Sequence, residues 1–457
     1  MIHFEECYTR AIGIAHIPQR ALRAGECQTP YGKRCSLCHA VTLNYDDELR
    51  IKNDVLKEFW RRNKLPISID PIIPSSLGRF YRTVTKRRVF PSRGKARLGL
   101  IGISQTGPPA SRDQSELPPS PDGVGIRRTG QRSCPLGRRA GPPASRDQSE
   151  LRRAGAIDVV QCMIEPEAHA RVYAHVQKFL DTAKERRLAD ALNYVIIKGS
   201  YTELTVILNV NTIEPAVLKK INVLSKALTA AVKEVTGIFL YHDERRSRYY
   251  LSLGEGEEHS FRRVHGKKEI YQKILGKSFL YSPLSFSQIN QLMVEEMVRR
   301  VETLISPHSE MHLYDLYCGY GLFALSFAGK VASATGVEIS GASVEAAKSN
   351  AIRQHEEHVR FLRRDITQES MELLLQKAPQ RFSVVLDPPR GGTSQGVIET
   401  IAACRPERVV HIFCDVDRIP QELSRWKKSG YYPSRAVPLD MFPGTDDIEI
   451  LIELNAS

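Results

Sequence analysis

The stretch Leu313–Ala328, LYDLYCGYGLFALSFA, decides the fold. A short apolar run leads into an acid, Asp315. A turn with Gly319 and Gly321 follows, and then the apolar start of a helix. The pattern predicts a strand–turn–helix junction whose glycines let backbone come close to a ligand. Three later segments repeat the theme of a strand ending in an acid. TGVEIS (Thr335–Ser340) carries Glu338, at the spacing expected for an acid that holds a ribose. FLRRD (Phe361–Asp365) and FSVVLDPP (Phe382–Pro389) carry Asp365 and Asp387.

Ligands of such sheets lie beyond the carboxyl ends of the strands. A pocket ringed by four acids suits a ligand with cationic and hydroxyl groups. S-adenosylmethionine fits that description better than a dinucleotide, which needs room for pyrophosphate. A fifth strand, VVHIFC (Val409–Cys414), ends in a thiol that should face the same crevice. MFPGTDDIE (Met441–Glu449) then leads into a final strand, Ile450–Leu454. A nucleophilic thiol, Asp387, Glu449 and a sulfonium donor together specify a reaction. A thiolate adding to carbon 6 of uracil makes carbon 5 nucleophilic enough to take a methyl group. A base then removes the carbon 5 proton and the thiol leaves. A base inside folded RNA must first be extruded.

Around this core the chain is basic, with a net charge of +13 and a pI of about 9.3. That balance favours a polyanionic partner such as RNA or DNA, or an anionic membrane. The first residues, MIHFEECYTR, show no signal peptide, and no run of apolar residues is long enough to span a membrane. A cytoplasmic protein without membrane association is expected. Its nine cysteines would be reduced there, so a cluster of them reads as metal-binding or catalytic. Cys27, Cys35 and Cys38 form such a cluster, with Gly32 to turn the loop. Zinc takes four ligands and so do the common iron–sulfur clusters. Cys162 is the best fourth candidate, ahead of Cys7 and Cys134.

Tyr45–Asn63 reads as an amphipathic helix with Leu49, Val55, Leu56, Phe59 and Trp60 towards one side. Phe80–Ile103 is basic and strand-like. Arg82, Lys86, Arg87, Arg88, Arg93, Lys95 and Arg97, interleaved with Phe80, Tyr81 and Phe90, are expected to face nucleic acid. Residues 104–154 are proline-rich, lack aromatic residues and repeat GPPASRDQSEL at Gly107–Leu117 and Gly141–Leu151. They read as a disordered insertion between strands Arg97–Ile103 and Ile157–Cys162. The region 157–280 reads as α+β. Helices are expected at Ala168–Lys184 and Thr212–Val235, and strands at Tyr194–Lys198, Leu204–Val210, Gly237–Tyr241 and Tyr249–Ser252. The helix Gln291–Leu304 then leads to the opening motif.

These motifs together resemble the RNA uracil-C5 methyltransferase family, which makes 5-methyluridine in transfer and ribosomal RNA. The match lies in SFSQIN (Ser285–Asn290), DLYCGYG (Asp315–Gly321), GVEIS (Gly336–Ser340), DPPRGG (Asp387–Gly392), the strand ending at Cys414 and LDMFPGTDDIE (Leu439–Glu449). The cysteine spacing, and the start of CMIEP at Cys162, are similar to a bacterial 23S ribosomal-RNA branch that carries a 4Fe-4S cluster. The resemblance implies that Gln288, Tyr317, Glu338 and Asp387, with the glycine turn at Gly319 and Gly321, contact S-adenosylmethionine, with Asp365 near the adenine. It implies Cys414 as nucleophile and Glu449 as proton-abstracting base. Cys27, Cys35, Cys38 and Cys162 would ligate the 4Fe-4S cluster, which would shape an RNA-binding surface. A monomer acting on RNA, most simply 23S ribosomal RNA, is expected.

The implied fold class is α/β. A Rossmann-like methyltransferase domain (281–457) follows an α+β central RNA-binding region (66–280) and an N-terminal cysteine segment (1–65). The small β-barrel that many relatives carry ahead of the cysteines is absent, which again points to the ribosomal-RNA branch. The chain also departs from the family. Phe413, Asp415 and Val416 replace the usual Ser before the thiol and Asn-Pro after it, Asp447 replaces a His two before the base, and Leu322 replaces a smaller or amide residue. An acid beside the thiol should raise its pKa. Alternatives are a non-catalytic RNA-binding paralogue, or methyl transfer to transfer RNA, DNA or another pyrimidine.

Overall fold

The computed structural model describes residues 3–14, 38, 40, 42–92, 95–101, 156–157, 161–182, 185–244, 251 and 260–457. Among them two seven-stranded sheets and one hairpin organise the chain. The C-terminal sheet runs β12 (Val359–Arg363), β11 (Ser333–Glu338), β10 (His312–Leu316), β13 (Phe382–Leu386), β14 (Val409–Phe413), β16 (Glu449–Ala456), β15 (Tyr431–Leu439). The first five pair in parallel, and β16 joins β14 antiparallel. Its parallel strands are buried almost throughout, as apolar runs covered on both faces must be. The helix Gln291–Ile305 packs on one face through Met293, Val294, Met297 and Val301. The other face carries the helices Gln368–Leu375, Val397–Ala403 and Ile419–Lys428. Chain order reverses between β10 and β13, so a crevice opens at their carboxyl ends.

The other sheet runs β3 (Ala156–Ile157), β2 (Lys95–Ile101), β1 (Thr85–Ser92), β4 (Leu192–Gly199), β5 (Leu204–Val210), β6 (Val235–His242), β7 (Phe261–Gly266). Helices Glu167–Leu180 and Pro215–Ala231 cover one face of it. The hairpin β8 (Ile270–Ile274) and β9 (Lys277–Tyr281) joins the core of the C-terminal sheet instead. β2 and β3 pair across the proline-rich segment, Leu100 opposite Ile157.

The expected helices at Ala168–Lys184 and Thr212–Val235 and strands at Tyr194–Lys198, Leu204–Val210 and Gly237–Tyr241 are present with small shifts of their ends, whereas Leu251, the described residue of Tyr249–Ser252, lies in a turn. Cys162 is not a strand residue. It opens a turn that leads, through Pro166, into the helix Glu167–Leu180. The segment 104–154, Cys27, Cys35, Cys134, Arg93 and most of Tyr249–Ser252 lie outside the described residues.

The reading of Phe80–Ile103 as one nucleic-acid face needs correction. Arg87 is buried, bonds Glu165 at 2.9 Å and lies over the Tyr173 ring at 4.1 Å. Tyr81 is fully buried. Strand alternation sends every second residue inward, so only part of the basic run stays at the surface: Lys86 and Arg88 remain half-exposed.

The helices α1 (Phe4–Ile14) and α2 (Tyr45–Arg62) pack together, with Phe4 edge-on to Phe59. The apolar face of α2 is as expected, but it also buries Glu48 and Lys52 completely. Lys52 Nζ donates to Asp440 Oδ1 at 2.8 Å and to the Phe442 carbonyl at 3.3 Å. Arg79 donates to Glu48 Oε2 at 2.8 Å, and the Gly444 amide donates to Glu48 Oε1. Tyr45 donates to Asp440 Oδ2 at 2.8 Å. These charges hold the loop that ends in Glu449.

Candidate active site

The glycine turn after β10 is strained where a ligand would lie. Tyr317 has φ +64°, and Gly319 and Gly321 have +54° and +89°. A Cβ at Gly319 would meet nothing within 4 Å, so its backbone faces open space, whereas one at Gly321 would strike Phe361. Gly319 N donates to Glu338 Oε2 at 3.1 Å and Ser340 N to Glu338 Oε1 at 2.8 Å. Burial raises the Glu338 pKa against those two amides. Asp387 N donates to the Leu316 carbonyl at 3.3 Å, setting the fourth strand tip beside the glycine turn. Burial pushes the Asp387 carboxyl up to about 7.

Of the other two strand-tip acids, one is turned away from the crevice and one lies exposed at its edge, where it adds to the rise that burial gives the Tyr317 pKa. Asp315 points inward and accepts from Ala324 N at 2.8 Å, fixing the start of the helix Leu322–Ser326. Burial lifts its pKa to about 7. Asp365 is exposed, two residues past the end of β12. The crevice acids are therefore Glu338 and Asp387, joined by Glu449.

Cys414 directly follows β14, and Glu449 opens β16. Their antiparallel register places Phe413 opposite Ile450. The next position puts Cys414 opposite Glu449, on the same face of the sheet. Glu449 is buried, and its Oε2 has no hydrogen-bond partner among the described residues. Burial, then Asp387, raises the Glu449 pKa well above the usual carboxylate range. Burial, then Glu449 and Asp387, likewise raises the Cys414 thiol, and Arg390 opposes them. Asp415 adds to the rise but ranks last, so the residue beside the thiol matters less than the two acids facing it.

Arg390 completes the set. Its guanidinium pairs with Asp447 at 2.9 Å. It shares with Cys414, Asp415, Asp417, Asp446, Asp447, Phe4 and Glu5 a cavity of about 200 Å³. Asp417 ties α1 to the wall of that cavity, accepting from Phe4 N at 2.9 Å. Arg390 was legible only as a letter of DPPRGG. The signal that would have found it is charge balance, since a thiol and two acids gathered in one crevice require a cation. Phe286 was likewise overlooked. It lies two residues before Gln288 and is 51% exposed, while Ser285, Ser287 and Gln288 around it are buried. Asn290 of this loop donates to the Met441 carbonyl at 3.1 Å, joining it to the loop that ends in Glu449.

Thiol chemistry tests this electrostatic picture. Alkylation of Cys414 by iodoacetamide, followed on its peptide by mass spectrometry, should climb about tenfold per pH unit up to pH 9 without levelling. Arg390→Ala should slow it further at pH 8. A plateau below pH 8 would contradict the arrangement.

Of the four cluster cysteines, Cys38 and Cys162 are described. Both are buried, in one small cluster with Tyr81, Leu100, Met163 and Ile164. A Cβ at Gly444 would lie 3.7 Å from Cys38 Cβ and 3.6 Å from Ile164 Cγ2. Among the described residues no group of three metal-ligating side chains assembles. Cys27 and Cys35, the other two, lie outside the described residues.

The tRNA (Uracil-5-)-methyltransferase family model matches residues 262–456. An uncharacterized RNA methyltransferase of Clostridium tetani is 25% identical over 66% of this chain and 65% of its own length. One of Streptococcus pyogenes is 26% identical over 57% of this chain and 55% of its own. The chain thus spans between half and two thirds of these two relatives. A third, of Thermotoga maritima, is 22% identical over 93% of this chain and 83% of its own. Among solved structures, the Pyrococcus abyssi tRNA (uracil-54, C5)-methyltransferase in complex with S-adenosyl-L-homocysteine superposes with a TM-score of 0.61 at 18% identity. It covers 91% of this chain and 85% of that one, and so supports the shared fold. The chain is related, over its C-terminal sheet above all, to RNA methyltransferases, which are enzymes.

Proposed function

We propose that this chain is an S-adenosylmethionine-dependent methyltransferase that forms 5-methyluridine in RNA through a covalent Cys414–uracil adduct. What supports the reading is that Cys414, just past the end of β14, feels Glu449, Asp387 and Arg390 in one crevice, with Glu449 opening the neighbouring strand β16. S-adenosylmethionine, when bound, supplies the electrophilic methyl group and a positive charge. Glu338, Asp387, Gln288, Tyr317 and the glycine turn at Gly319 and Gly321 would hold it, with Asp365 at the adenine end. The cofactor's positive charge, held near Asp387 and Cys414, would lower both pKa values and favour the Cys414 thiolate. Cys414 then adds to carbon 6 of an extruded uracil, and the electron pair moves to the carbonyl oxygen at carbon 4. Carbon 5 takes the methyl group. Glu449 takes the carbon 5 proton, and the thiolate of Cys414 is expelled as the double bond re-forms. Phe286 offers a ring on which a flipped base can stack.

The cysteine set favours 23S ribosomal RNA as the target, and Cys27, Cys35, Cys38 and Cys162 would hold a 4Fe-4S cluster that shapes the RNA-binding face. A second reading, transfer RNA, is favoured by the fold shared with the Pyrococcus abyssi enzyme. The test is RNA carrying 5-fluorouridine. Fluorine cannot leave as a proton, so the enzyme should be trapped as an adduct that survives denaturing electrophoresis. Adduct formation with 23S but not transfer RNA fragments supports the first target, and the converse supports the second. Absence of adduct on either RNA, with S-adenosylhomocysteine still bound, would overturn the uracil reading and leave an RNA-binding paralogue.

A further inference from the structure

The loop Pro283–Asn290 carries Gln288, yet much of what holds it lies on the other sheet. Thr83 donates through N and Oγ1 to the Ile289 carbonyl at 2.8 and 3.0 Å. Gln291 Nε2 donates to the Gly199 carbonyl at 2.5 Å. The contact with the most unusual chemistry is Lys198. This side chain leaves the edge of β4 and is buried. Its Nζ donates to the Pro283 carbonyl at 2.9 Å and to the Ser285 carbonyl at 2.6 Å.

Among the described residues no acid pairs with that ammonium. Thr205 stands opposite Lys198 on β5, and the loop offers only carbonyl oxygens. No charged group contributes to its pKa, which burial alone pulls down to about 7. A purely structural staple between a strand and a loop would not require a buried cation without a counter-ion, since that is among the costliest groups to bury. What the ammonium does provide is two charge-assisted bonds that fix the turn just before Phe286, Ser287 and Gln288.

We propose that Lys198 is a positioning residue for the methyl-donor site: from the neighbouring sheet it clamps the Pro283–Ser285 turn and so sets Gln288 against the crevice. The inference rests on the functional reading above. The clamp is tightest when Lys198 is protonated. It weakens as pH rises through the neutral range, when the ammonium gives up a proton and the remaining amine hydrogens donate without its charge.

The experiment measures S-adenosylhomocysteine binding to the full chain by calorimetry from pH 6 to 9, for the wild type, Lys198→Met and Lys198→Gln. At pH 6, Lys198→Met should bind about tenfold more weakly, with two carbonyls left unpaired, and Lys198→Gln should recover part of the loss. The difference between wild type and Lys198→Met should shrink towards pH 9. Taking that difference removes the titration of Asp387 and Glu338, which both proteins share. In turnover, the KM for S-adenosylmethionine should rise while kcat at saturation stays near the wild-type value. Equal affinities at every pH, or a loss of constant size at all pH values, would overturn the inference. Failure of the wild type itself to bind S-adenosylhomocysteine would overturn the functional reading, and the clamp with it.

Discussion

Cys414→Ala is expected to abolish methyl transfer, lowering kcat by at least about 10⁴-fold, while S-adenosylhomocysteine binding stays intact. Without the thiolate, carbon 5 of uracil remains a poor nucleophile, and no neighbouring group can replace the covalent step. Arg390 is a cation, and Asp387 and Glu449 are buried carboxyl groups whose pKa values burial raises. The matching change, Glu449→Gln, should behave differently. Its kcat should fall by about 10²–10⁴, yet the adduct should form and persist on ordinary RNA, because addition and methyl transfer precede proton removal. Single-turnover assays with labelled RNA separate the two. A Cys414→Ala enzyme that still methylates, or a Glu449→Gln enzyme that turns over at the wild-type rate, would remove the pair from the mechanism.

Lys52→Met is expected to cost about 3–5 kcal/mol of stability, the usual penalty for removing one partner of a buried ion pair. Burial lowers the Lys52 pKa, but Asp440 and Glu48 outweigh it and leave the ammonium raised and charged. Its removal leaves Asp440 without its cation and leaves Glu48 to Arg79 alone. Lys52 holds the 440–444 turn at the Phe442 carbonyl, and Glu48 holds it at the Gly444 amide. A urea titration should therefore show a lower midpoint, and proteolysis should cut within 440–449 before the parallel sheet unfolds. An unchanged midpoint would mean that the four charges contribute no net stability.

The sequence made the parallel strands and their order legible because each is a short apolar run closed by a distinctive tip. Cys414 and Glu449 were found the same way. Their face-to-face placement was not legible, since it depends on β16 entering antiparallel, and strand direction leaves no mark in an apolar run. Glu48 and Lys52 read as the polar side of an amphipathic helix. They are buried because Asp440 and Arg79, distant in sequence, supply the opposite charges. Arg87 misled for the same reason, its partner Glu165 lying beyond the insertion. Asp315 stands opposite Val385, two residues short of Asp387, and the Ala324 amide holds it inside the sheet's end, a difference of register that the sequence does not display.

One consequence follows from the pairing of Leu100 with Ile157. The chain leaves the sheet beside the point where it returns, so the intervening length is a closed loop anchored at both ends. Closing a flexible loop costs only about 0.6 kcal/mol more for each doubling of its length. An insert of flexible chain between the two strands would therefore cost the fold little, whatever its length. The same edge is a natural port of entry for engineering. A fluorescent reporter or an affinity module spliced between the two strands would meet the sheet edge and leave Cys414 and Glu449 in register.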